Sequence, residues 1–302
     1  MRALIIVNPV AGGGRSESRL SLIKKSLAKI GLESDYKQTT RPLDASAIAR
    51  NAASDGDYDI VVAAGGDGTV NEVANGLIGS EITLGCLPSG TGNDIASSFG
   101  VPLNSIDACR LLVHGKRRKI DIGCITKKRR KRFFLGVTGN GFDAEVTKAA
   151  NELGKRFMTG TLPYMAAIIR VLRKFTPIGF EVDYSRNKDV FEAMMVSVGN
   201  GPMYGGQMKI CPNARLDDGL FDLTILGKVP RFHLMRLFPL VYSGKHIEHH
   251  SVGVRRSSKF NISADQPTLV QADGEIIGHL PMQFETIPGA LSVITGDSPY
   301  FL

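Results

Sequence analysis

The first hundred residues of this chain alternate between two kinds of hydrophobic pattern. The runs at residues 3–7, 59–64 and 82–87 are mostly apolar, and such runs are typical of strands that are buried on both faces. Between these runs apolar residues recur at helical spacing up to Gly31, and a strand at 34–38 precedes a helix at 44–53. Because parallel strands need helical crossovers, we predict an α/β fold with a doubly wound, mainly parallel sheet.

The pattern changes near residue 118, where short β-rich runs replace the alternation. Two helical stretches, at 161–174 and 231–242, interrupt these runs. The β-rich runs themselves lie at residues 119–125, 133–138, 193–198, 220–226, 252–262 and 282–286. We therefore predict an α/β domain over residues 1–118 and a mainly antiparallel β-rich domain over 119–289, with residues 290–302 packing back onto the first domain.

The loop after the third strand carries three glycines and a carboxylate, in the order Gly65-Gly66-Asp67-Gly68-Thr69. The glycines let the backbone turn sharply and approach a ligand, and the helix that follows offers unpaired N–H groups to an anion. A carboxylate beside phosphates repels them unless a divalent cation lies between, so Asp67 indicates a metal-bound phosphate. The structural alternative is a plain turn in which Asp67 caps the helix.

Two further glycine-containing loops follow parallel strands, at residues 8–15 and 88–94. The carboxyl ends of parallel strands meet at one edge of the sheet, so these loops are expected beside the first one. Thr39 and Thr40 follow the second strand and are expected to reach the same crevice. Each loop alone is weak evidence, since many such loops are ordinary turns, but together they predict a phosphate-binding crevice.

The more common nucleotide-binding motifs are missing from this sequence. It contains no GxxxxGK[ST], no GxGxxG at the first helix and no protein-kinase catalytic loop. Instead, GGDGT at 65–69, with Asn8-Pro9 before it and PSGTGND at 88–94 after it, resembles the diacylglycerol kinase catalytic domain and its bacterial lipid kinase relatives. The resemblance continues through YGGQMKICPNARLDDGL at 204–220 and DGE at 273–275, and it covers nearly the whole chain. NAD kinases and phosphofructokinases share GGDGT, whereas the two later blocks point to the lipid branch.

The resemblance implies a kinase that uses ATP as phosphoryl donor. It implies a nucleotide-binding domain like that of NAD kinases and diacylglycerol kinases, followed by a β-sandwich domain for the lipid substrate. The residues that it places on ATP are Asn8, Pro9, Val10, Ala11, Gly12, Thr39, Gly65, Gly66, Asp67, Gly68, Thr69, Val70, Asn71 and Thr91. The sequence departs from the family after GTGND, where an aromatic residue and then an arginine are common and Ile95 and Ser97 stand here.

A magnesium site in the second domain is also implied by the resemblance. Its ligands would be the backbone carbonyls of Arg215 and Leu220 and the carboxylate of Asp218, in a structural role. The residue types suit this role, because a hard cation takes oxygen ligands and an Asp-Asp-Gly turn offers both carboxylate and carbonyl oxygens. The alternative is a plain turn without a metal.

Two carboxylates at Asp273 and Glu275 are the candidate proton acceptors. Phosphoryl transfer to an alcohol needs an aligned donor, neutralised charge and a group that takes the hydroxyl proton. Members of the resembled family use this triplet for the last task, and the sequence leaves both carboxylates as candidates. Asp67 would then hold the catalytic Mg²⁺ on the triphosphate, directly or through water. The alternative for the triplet is a solvated turn.

The positive charge of the chain is concentrated in one segment. The formal net charge is +8, and ten of the 37 Lys and Arg residues fall between Lys116 and Arg132. We predict that the part from Lys127 to Arg132 connects two strands, either as a solvated turn or as a contact with anionic headgroups at a membrane. Nucleic acid is the least favoured partner, because the cations do not spread over a face of the protein.

Targeting and cysteine signals are sparse. The apolar run before Asn8 is too short for a signal peptide, and residues 162–172 fall well below the length that spans a bilayer. The four cysteines are widely spaced and form no zinc motif, so reduced, buried thiols are expected. We therefore expect a cytoplasmic protein that contacts the inner face of the membrane peripherally.

These observations together predict an ATP- and Mg²⁺-dependent lipid kinase, with diacylglycerol as the favoured acceptor and phosphatidic acid as the product. Phosphatidylglycerol, sphingoid bases and undecaprenol stay open as acceptors, because lipid pockets are defined by shape and apolar lining. The alternatives are an NAD-kinase-like kinase of a soluble small molecule and a non-catalytic protein that binds anionic lipid. The sequence leaves the oligomeric state open, a homodimer included.

Overall fold

The computed structural model describes residues 1–12, 16–154 and 162–302 of the chain. The chain divides into two compact units, which we call unit 1, Met1–Ile122 with Pro288–Leu302, and unit 2, Gly123–Ile287. The chain passes from one unit to the other within two long strands, β5 (Lys116–Lys127) and β15 (Met282–Thr295). Two parts of our sequence predictions, Gly13–Arg15 of the first glycine loop and Thr161 at the start of a helix, lie outside the described residues.

Unit 1 is built on a parallel sheet with the strand order β2-β1-β3-β4, followed by the end of β15. The strands are β1 (Arg2–Val7), β2 (Glu33–Gln38), β3 (Ile60–Gly65) and β4 (Thr83–Pro88). The helices between them are α1 (Ser16–Lys29), α2 (Asp44–Asp55) and α3 (Asp67–Leu77). This confirms the predicted doubly wound parallel sheet.

The central strands of unit 1 explain why their sequence is continuously apolar. Every residue of β3 is buried, and so are the last five residues of β1. Helix α3 packs against α2 at Gly76, where a Cβ atom would lie 2.6 Å from the carbonyl oxygen of Ser46. The glycine therefore allows the two helices to approach closely on one side of the sheet.

Two short helices of unit 1 were missing from our sequence prediction, α4 (Asp94–Ser98) and α5 (Ser105–His114). The start of α5 is marked by Asn104, whose side-chain oxygen accepts hydrogen bonds from the N–H groups of Ile106 and Asp107. This is a recognisable N-cap, so the sequence did contain a signal for this helix.

Unit 2 is a mainly antiparallel β structure, as predicted. One path of strands runs β14-β13-β7-β9-β8-β12-β15, β10 and β11 extend from β9, and β6 pairs with β5. The strands not yet given are β6 (Arg130–Phe134), β7 (Val137–Gly141), β8 (Ile178–Tyr184), β9 (Asn187–Gly199), β10 (Phe221–Gly227), β11 (Val252–Ser257), β12 (Lys259–Ala264), β13 (Leu269–Ala272) and β14 (Glu275–His279).

The core of unit 2 contains five phenylalanines that are almost wholly buried. A second apolar cluster forms where helices cover the strands. These helices are α6 (Phe142–Gly154), α7 (Leu162–Leu172) and α8 (Arg231–Ser243), and a short 3₁₀ helix follows at Lys245–Glu248. Helix α6 was not predicted, although Phe142, Val146, Ala149 and Ala150 follow helical spacing and are buried.

Two predicted strands of unit 2 are wrong as single elements. Residues 133–138 are divided between β6 and β7, because the N–H groups of Leu135 and Gly136 bind the carboxylate of Asp273 instead of a neighbouring strand. Residues 252–262 form two strands, and the hydroxyl of Ser257, which accepts from the N–H of Lys259, marks the break. Side-chain acceptors thus interrupt both runs.

The prediction that residues 127–132 form a connection is also wrong. Strand β5 extends to Lys127 and β6 starts at Arg130, so only Lys128 and Arg129 form the turn, with Lys128 in the left-handed region at φ 56°. The strands pair in register from Lys127 opposite Arg130 to Gly123 opposite Phe134. Backbone pairing therefore continues through the basic residues, and the cations stand on a hairpin.

Among the described residues, no helix combines the length and apolar character needed to cross a bilayer. The four cysteines are buried and unpaired, as expected.

Candidate active site

The glycine-rich turn between β3 and α3 is folded tightly against its own helix. Gly65 ends the strand, Gly66 is extended, and Asp67 begins the helix. A Cβ atom on Gly65 would lie 2.3 Å from the hydroxyl oxygen of Thr69, so only glycine fits there. By contrast, a Cβ atom on Gly68 would meet no other atom within 4 Å, and this residue is exposed. The first turn of α3 therefore presents an open backbone surface at Gly68.

The three glycine loops of unit 1 are in direct contact. A Cβ atom on Gly90 would lie 2.5 Å from the Cα atom of Gly66, and one on Gly12 would lie 2.3 Å from the carbonyl oxygen of Ser89. The side-chain nitrogen of Asn8 donates to the hydroxyl of Thr69 over 3.0 Å. The convergence of the loops predicted from strand order is thus present in the structure.

The other residues that we assigned to the nucleotide lie at the same sheet edge. The N–H group of Thr39 donates to the carbonyl oxygen of Val7 over 2.9 Å, which places Thr39 beside the start of the first loop. Thr91 and Val10 are exposed at the tips of their loops. Thr40 instead donates its N–H group and its hydroxyl to the carboxylate of Asp44, the first residue of α2.

Asp67 links the first glycine loop to the third. One of its oxygens, Oδ1, accepts the N–H group of Ile95, in the first turn of α4, over 2.9 Å. A Cβ atom on Gly92 would lie 3.0 Å from an oxygen of Asp67 and 3.0 Å from an oxygen of Asp94. Two carboxylates therefore flank Gly92. Burial and, secondarily, the charge of Asp67 raise the pKa of the Cys86 thiol beneath the loop to about 12, so this thiol stays protonated.

In unit 2 the Asp273-Gly274 pair forms the tight turn between β13 and β14. Both residues have positive φ, 45° at Asp273 and 85° at Gly274. The two carboxylate oxygens of Asp273 accept the N–H groups of Leu135 at 2.9 Å and Gly136 at 3.0 Å. These bonds fix the carboxylate in place and fasten the turn to the segment between β6 and β7.

Glu275 has different surroundings from Asp273. Its side chain is 63% exposed and forms an ion pair with Arg132 on β6. The two carboxylates of the triplet are therefore not equivalent: one is held by backbone donors, and the other lies at the surface beside the Arg132 guanidinium.

A buried chain of hydrogen bonds leads from the triplet into unit 2. The N–H group of Gly274 donates to the side-chain oxygen of Gln271 over 3.0 Å, and the nitrogen of the same amide donates to Asp143 over 3.0 Å. The hydroxyl of Tyr204 donates to the other oxygen of Asp143. All three side chains are buried. We call Gln271, Asp143 and Tyr204 the buried relay; the motif at 204–220 contains Tyr204, but no motif indicated its link to the other two residues.

The buried relay ends at an apolar pocket within unit 2. Asp143 and Tyr204 contribute to its wall, together with residues of α6, α7, α8, the sheet and the loop before β10. Most of the lining is aliphatic or aromatic, as with Phe142, Leu237 and Phe238. His246 also lines the pocket, and burial lowers its pKa. A pocket of this composition suits a hydrocarbon chain and not a nucleotide.

Comparisons with known proteins decide the family. Residues 2–125 match the model of the diacylglycerol kinase catalytic domain, and residues 136–295 match that of the YegS C-terminal NAD kinase beta sandwich-like domain. The chain is 31% identical to a diacylglycerol kinase of Bacillus subtilis, over 97% of this chain and 96% of that protein. The chain belongs to the diacylglycerol kinase family. It is therefore a lipid kinase that uses ATP.

Two further relatives of the family agree with this assignment. A diacylglycerol kinase of Mycobacterium tuberculosis is 31% identical over 96% of this chain and 93% of its own length. The solved structure of a diacylglycerol kinase from Bacillus anthracis superposes with a TM-score of 0.76 at 25% identity, covering 100% of this chain and 98% of that one. The whole described chain thus follows the fold of this family.

The diacylglycerol kinase resemblance assigns magnesium to the turn at 215–220. This turn has oxygen atoms that can bind a metal ion, and Arg256 competes for them. An oxygen of Asp218 accepts the N–H group of Leu220 over 3.0 Å, and Gly219 has φ 72°. Arg256 forms ion pairs with both Asp218 and Asp222. Within the described ranges, no three His, Cys, Asp or Glu side chains cluster to hold a metal.

This turn and the first residues of β10 nevertheless fit a hard cation. Oδ1 of Asp222 is buried and has no hydrogen-bond partner among the described residues, and burial raises the pKa of this carboxyl group. The neighbouring carboxylate of Asp218 is only 10% exposed. A divalent ion would stabilise these two carboxylates together. Because only one carboxylate was assigned, main-chain carbonyls or water would supply the other ligands.

Proposed function

We propose that this lipid kinase transfers the γ-phosphoryl group of ATP to the free hydroxyl of diacylglycerol and so forms phosphatidic acid. The observation that carries the choice of a lipid acceptor is the apolar pocket of unit 2, which the buried relay joins to the Asp273-Gly274-Glu275 turn. The relatives named as diacylglycerol kinases support the choice of acceptor. A kinase of a soluble nucleotide would need a polar pocket at this place.

Unit 1 would bind ATP through the converging glycine loops. The close packing of Gly66 against Gly90 leaves room for phosphates at the open first turn of α3, where N–H groups and the helix dipole favour anions. Asn8 to Gly12 and Thr39 would contact the nucleotide from the neighbouring strand ends, and Thr91 from the third loop. We propose unit 1 as the nucleotide-binding domain and residues 119–289 as the lipid-substrate domain.

Magnesium would be held at two places in this proposal. Asp67 would hold the ion that neutralises the triphosphate, and the turn at Arg215, Asp218 and Leu220 would hold a structural ion. When bound, the first ion neutralises charge on the transferred group. The hydrogen bond from Ile95 to Oδ1 of Asp67 keeps this carboxylate oriented before any ion arrives.

Glu275 is the better proposed proton acceptor of the two carboxylates. The acceptor hydroxyl attacks the γ-phosphorus, the bond to the bridging oxygen of ADP breaks, and the hydroxyl proton passes to the carboxylate. Both carboxylate oxygens of Asp273 already accept backbone N–H groups, so this side chain is held against the segment between β6 and β7. Glu275 is exposed, and its ion pair is with the side chain of Arg132 and not with the backbone. Asp273 would then be a positioning residue that fixes the turn.

The acceptor can be identified by product analysis. The protein is incubated with labelled ATP, Mg²⁺ and, in separate mixed micelles, diacylglycerol, phosphatidylglycerol, a sphingoid base or undecaprenol. We expect label in phosphatidic acid with the highest kcat/KM for diacylglycerol. A higher kcat/KM for another lipid would identify that lipid as the acceptor, and the protein would still be a lipid kinase. The Glu275→Gln variant is the matched control for a contaminating kinase.

A further inference from the structure

The β5–β6 hairpin of unit 2 carries more positive charge than its surroundings compensate. Residues 127–132 are six consecutive cations, of which 128–132 are exposed. Arg132 is paired with Glu275, and the ammonium group of Lys127 donates to the carbonyl oxygen of His279 over 2.5 Å. In the part of the chain that the structure describes, no acidic side chain forms an ion pair with residues 128–131. The hairpin therefore presents four uncompensated cations to solvent.

The surface beside the hairpin is apolar. A groove runs along it, bordered by all six cations and by Ile276, Ile277 and Met282, with Ile125 at its base. The two isoleucines lie on β14 directly after Glu275 and are half-buried. This groove thus combines a cationic rim with an aliphatic floor.

The cationic rim and the aliphatic floor together favour an anionic amphiphile as the ligand of this groove. A phosphate or carboxylate headgroup matches the rim, and the first part of an acyl chain matches the aliphatic floor. The groove lining contains no aromatic residue, whereas single-stranded nucleic acid is usually held by stacking on aromatic side chains. Free phosphate would leave the aliphatic floor unused.

Arg132 connects this groove to the proposed proton acceptor. Its guanidinium group belongs to the rim and also pairs with Glu275. A headgroup in the groove and the Glu275 carboxylate therefore compete for the same cation. Arg132 stands three residues before Leu135, whose N–H group holds Asp273.

We propose that the groove binds an anionic phospholipid of the membrane surface, and that the bound headgroup draws Arg132 away from Glu275. The enzyme is then most active on a charged bilayer. This inference rests on the proposed function, because it takes Glu275 as the proton acceptor.

Vesicle sedimentation tests the binding step. The full-length protein is mixed with vesicles of phosphatidylcholine, with or without a fraction of phosphatidylserine. In the hairpin variant, Lys128, Arg129, Arg130 and Lys131 are replaced by Gln. In the control variant, four exposed cations elsewhere are replaced by Gln, namely Lys25, Lys29, Arg50 and Arg186.

We expect the wild type and the control variant to bind the anionic vesicles and the hairpin variant to bind at least about tenfold more weakly, since a basic residue near an anionic surface is worth about fivefold. Equal weakening in both variants would show a general charge effect and would overturn the proposal. So would equal binding of the wild type to neutral vesicles. Inorganic phosphate at the same charge concentration is expected not to displace the protein, and displacement would mean that the groove binds a free anion.

A kinetic measurement tests the coupling to Glu275. Diacylglycerol phosphorylation is measured in neutral micelles and in micelles with added phosphatidylserine. We expect kcat to rise several-fold with the anionic lipid for the wild type and the control variant, but not for the hairpin variant, while all three are equally active in neutral micelles. An equal rise in the hairpin variant would overturn the coupling. Loss of activity in neutral micelles of every protein would count against the proposed function instead.

Discussion

Asp273 and Glu275 are two residues apart in sequence, yet their carboxylates serve different purposes in the structure. Backbone donors hold Asp273, and Arg132 is the cation beside Glu275. A substitution at one position should therefore affect stability and catalysis differently from a substitution at the other.

Glu275→Gln is expected to lower kcat by about 10²- to 10⁴-fold, the usual contribution of a general base. The melting temperature should hardly change, because an exposed ion pair contributes only about 0–1 kcal/mol. Asp273→Asn places an amide against two N–H donors, so it should also reduce the free energy of unfolding by about 1–3 kcal/mol. Steady-state kinetics and thermal unfolding of both variants test this. Full activity of Glu275→Gln would exclude it as the base.

A substitution at Gly68 is expected to change nucleotide binding without disrupting the fold. Because a Cβ atom meets no protein atom there, Gly68→Ala should leave the fold intact and even stabilise α3 by up to about 1 kcal/mol. The added methyl group would occupy the open backbone surface, so the KM for ATP should rise. The matched control is Gly76→Ala on the same helix, which should destabilise unit 1 without changing the KM for ATP. An unchanged KM in Gly68→Ala would place the phosphates elsewhere.

At the scale of single residues, the sequence predicted the loops but not their partners. The GGDGT motif and strand order were enough to bring Asn8, Gly66 and Gly90 to one edge of the sheet. They could not show that Asp67 binds the N–H group of Ile95, because that contact depends on where α4 begins. Nor could they separate Asp273 from Glu275, since Leu135 and Gly136 are remote in sequence.

At the scale of elements, continuous apolar strands were predictable and interrupted ones were not. β1, β3 and β4 are buried on both faces, so their sequence carries a strong signal. The break between β6 and β7 depends on a carboxylate 137 residues or more along the chain, which no local pattern contains. The buried relay likewise joins β13, α6 and the loop that contains Tyr204.

Gln271→Met removes both hydrogen bonds of the relay's central amide at similar side-chain volume. The N–H group of Gly274 and an oxygen of Asp143 would each lose a partner, at a cost of about 1–3 kcal/mol for each group. The β13–β14 turn should loosen, so kcat should fall while the KM for ATP stays constant. Tyr204→Phe is the control, since it leaves the bond to Gly274 in place. Equal kcat in Gln271→Met and the wild type would mean that the relay does not position the triplet.

At the scale of the whole molecule, buried His246 should make stability depend on pH. Burial lowers its pKa in the folded state, so below the ordinary value of about 6.5 the unfolded chain binds a proton that the folded chain does not. Folding stability from this residue is therefore complete above that pH and is lost as pH falls towards the lowered folded pKa. His246→Gln should flatten this part of the curve and keep a donor for the carbonyl oxygen of Ile210. Denaturant unfolding of both proteins, measured from pH 7 to below about pH 6.5, tests this. An equal loss of stability in the wild type and the variant would contradict it.

A competition assay between a lipid and a soluble nucleotide tests whether this chain is a lipid kinase whose catalytic turn is Asp273-Gly274-Glu275. Diacylglycerol in neutral micelles and NAD in the surrounding buffer are offered together with labelled ATP and Mg²⁺. We expect the label to appear in phosphatidic acid and not in the soluble nucleotide, and the transfer to fail in Glu275→Gln. Label in the soluble nucleotide alone, or transfer that is unaffected by Glu275→Gln and by Asp273→Asn, would contradict a lipid kinase with this catalytic turn.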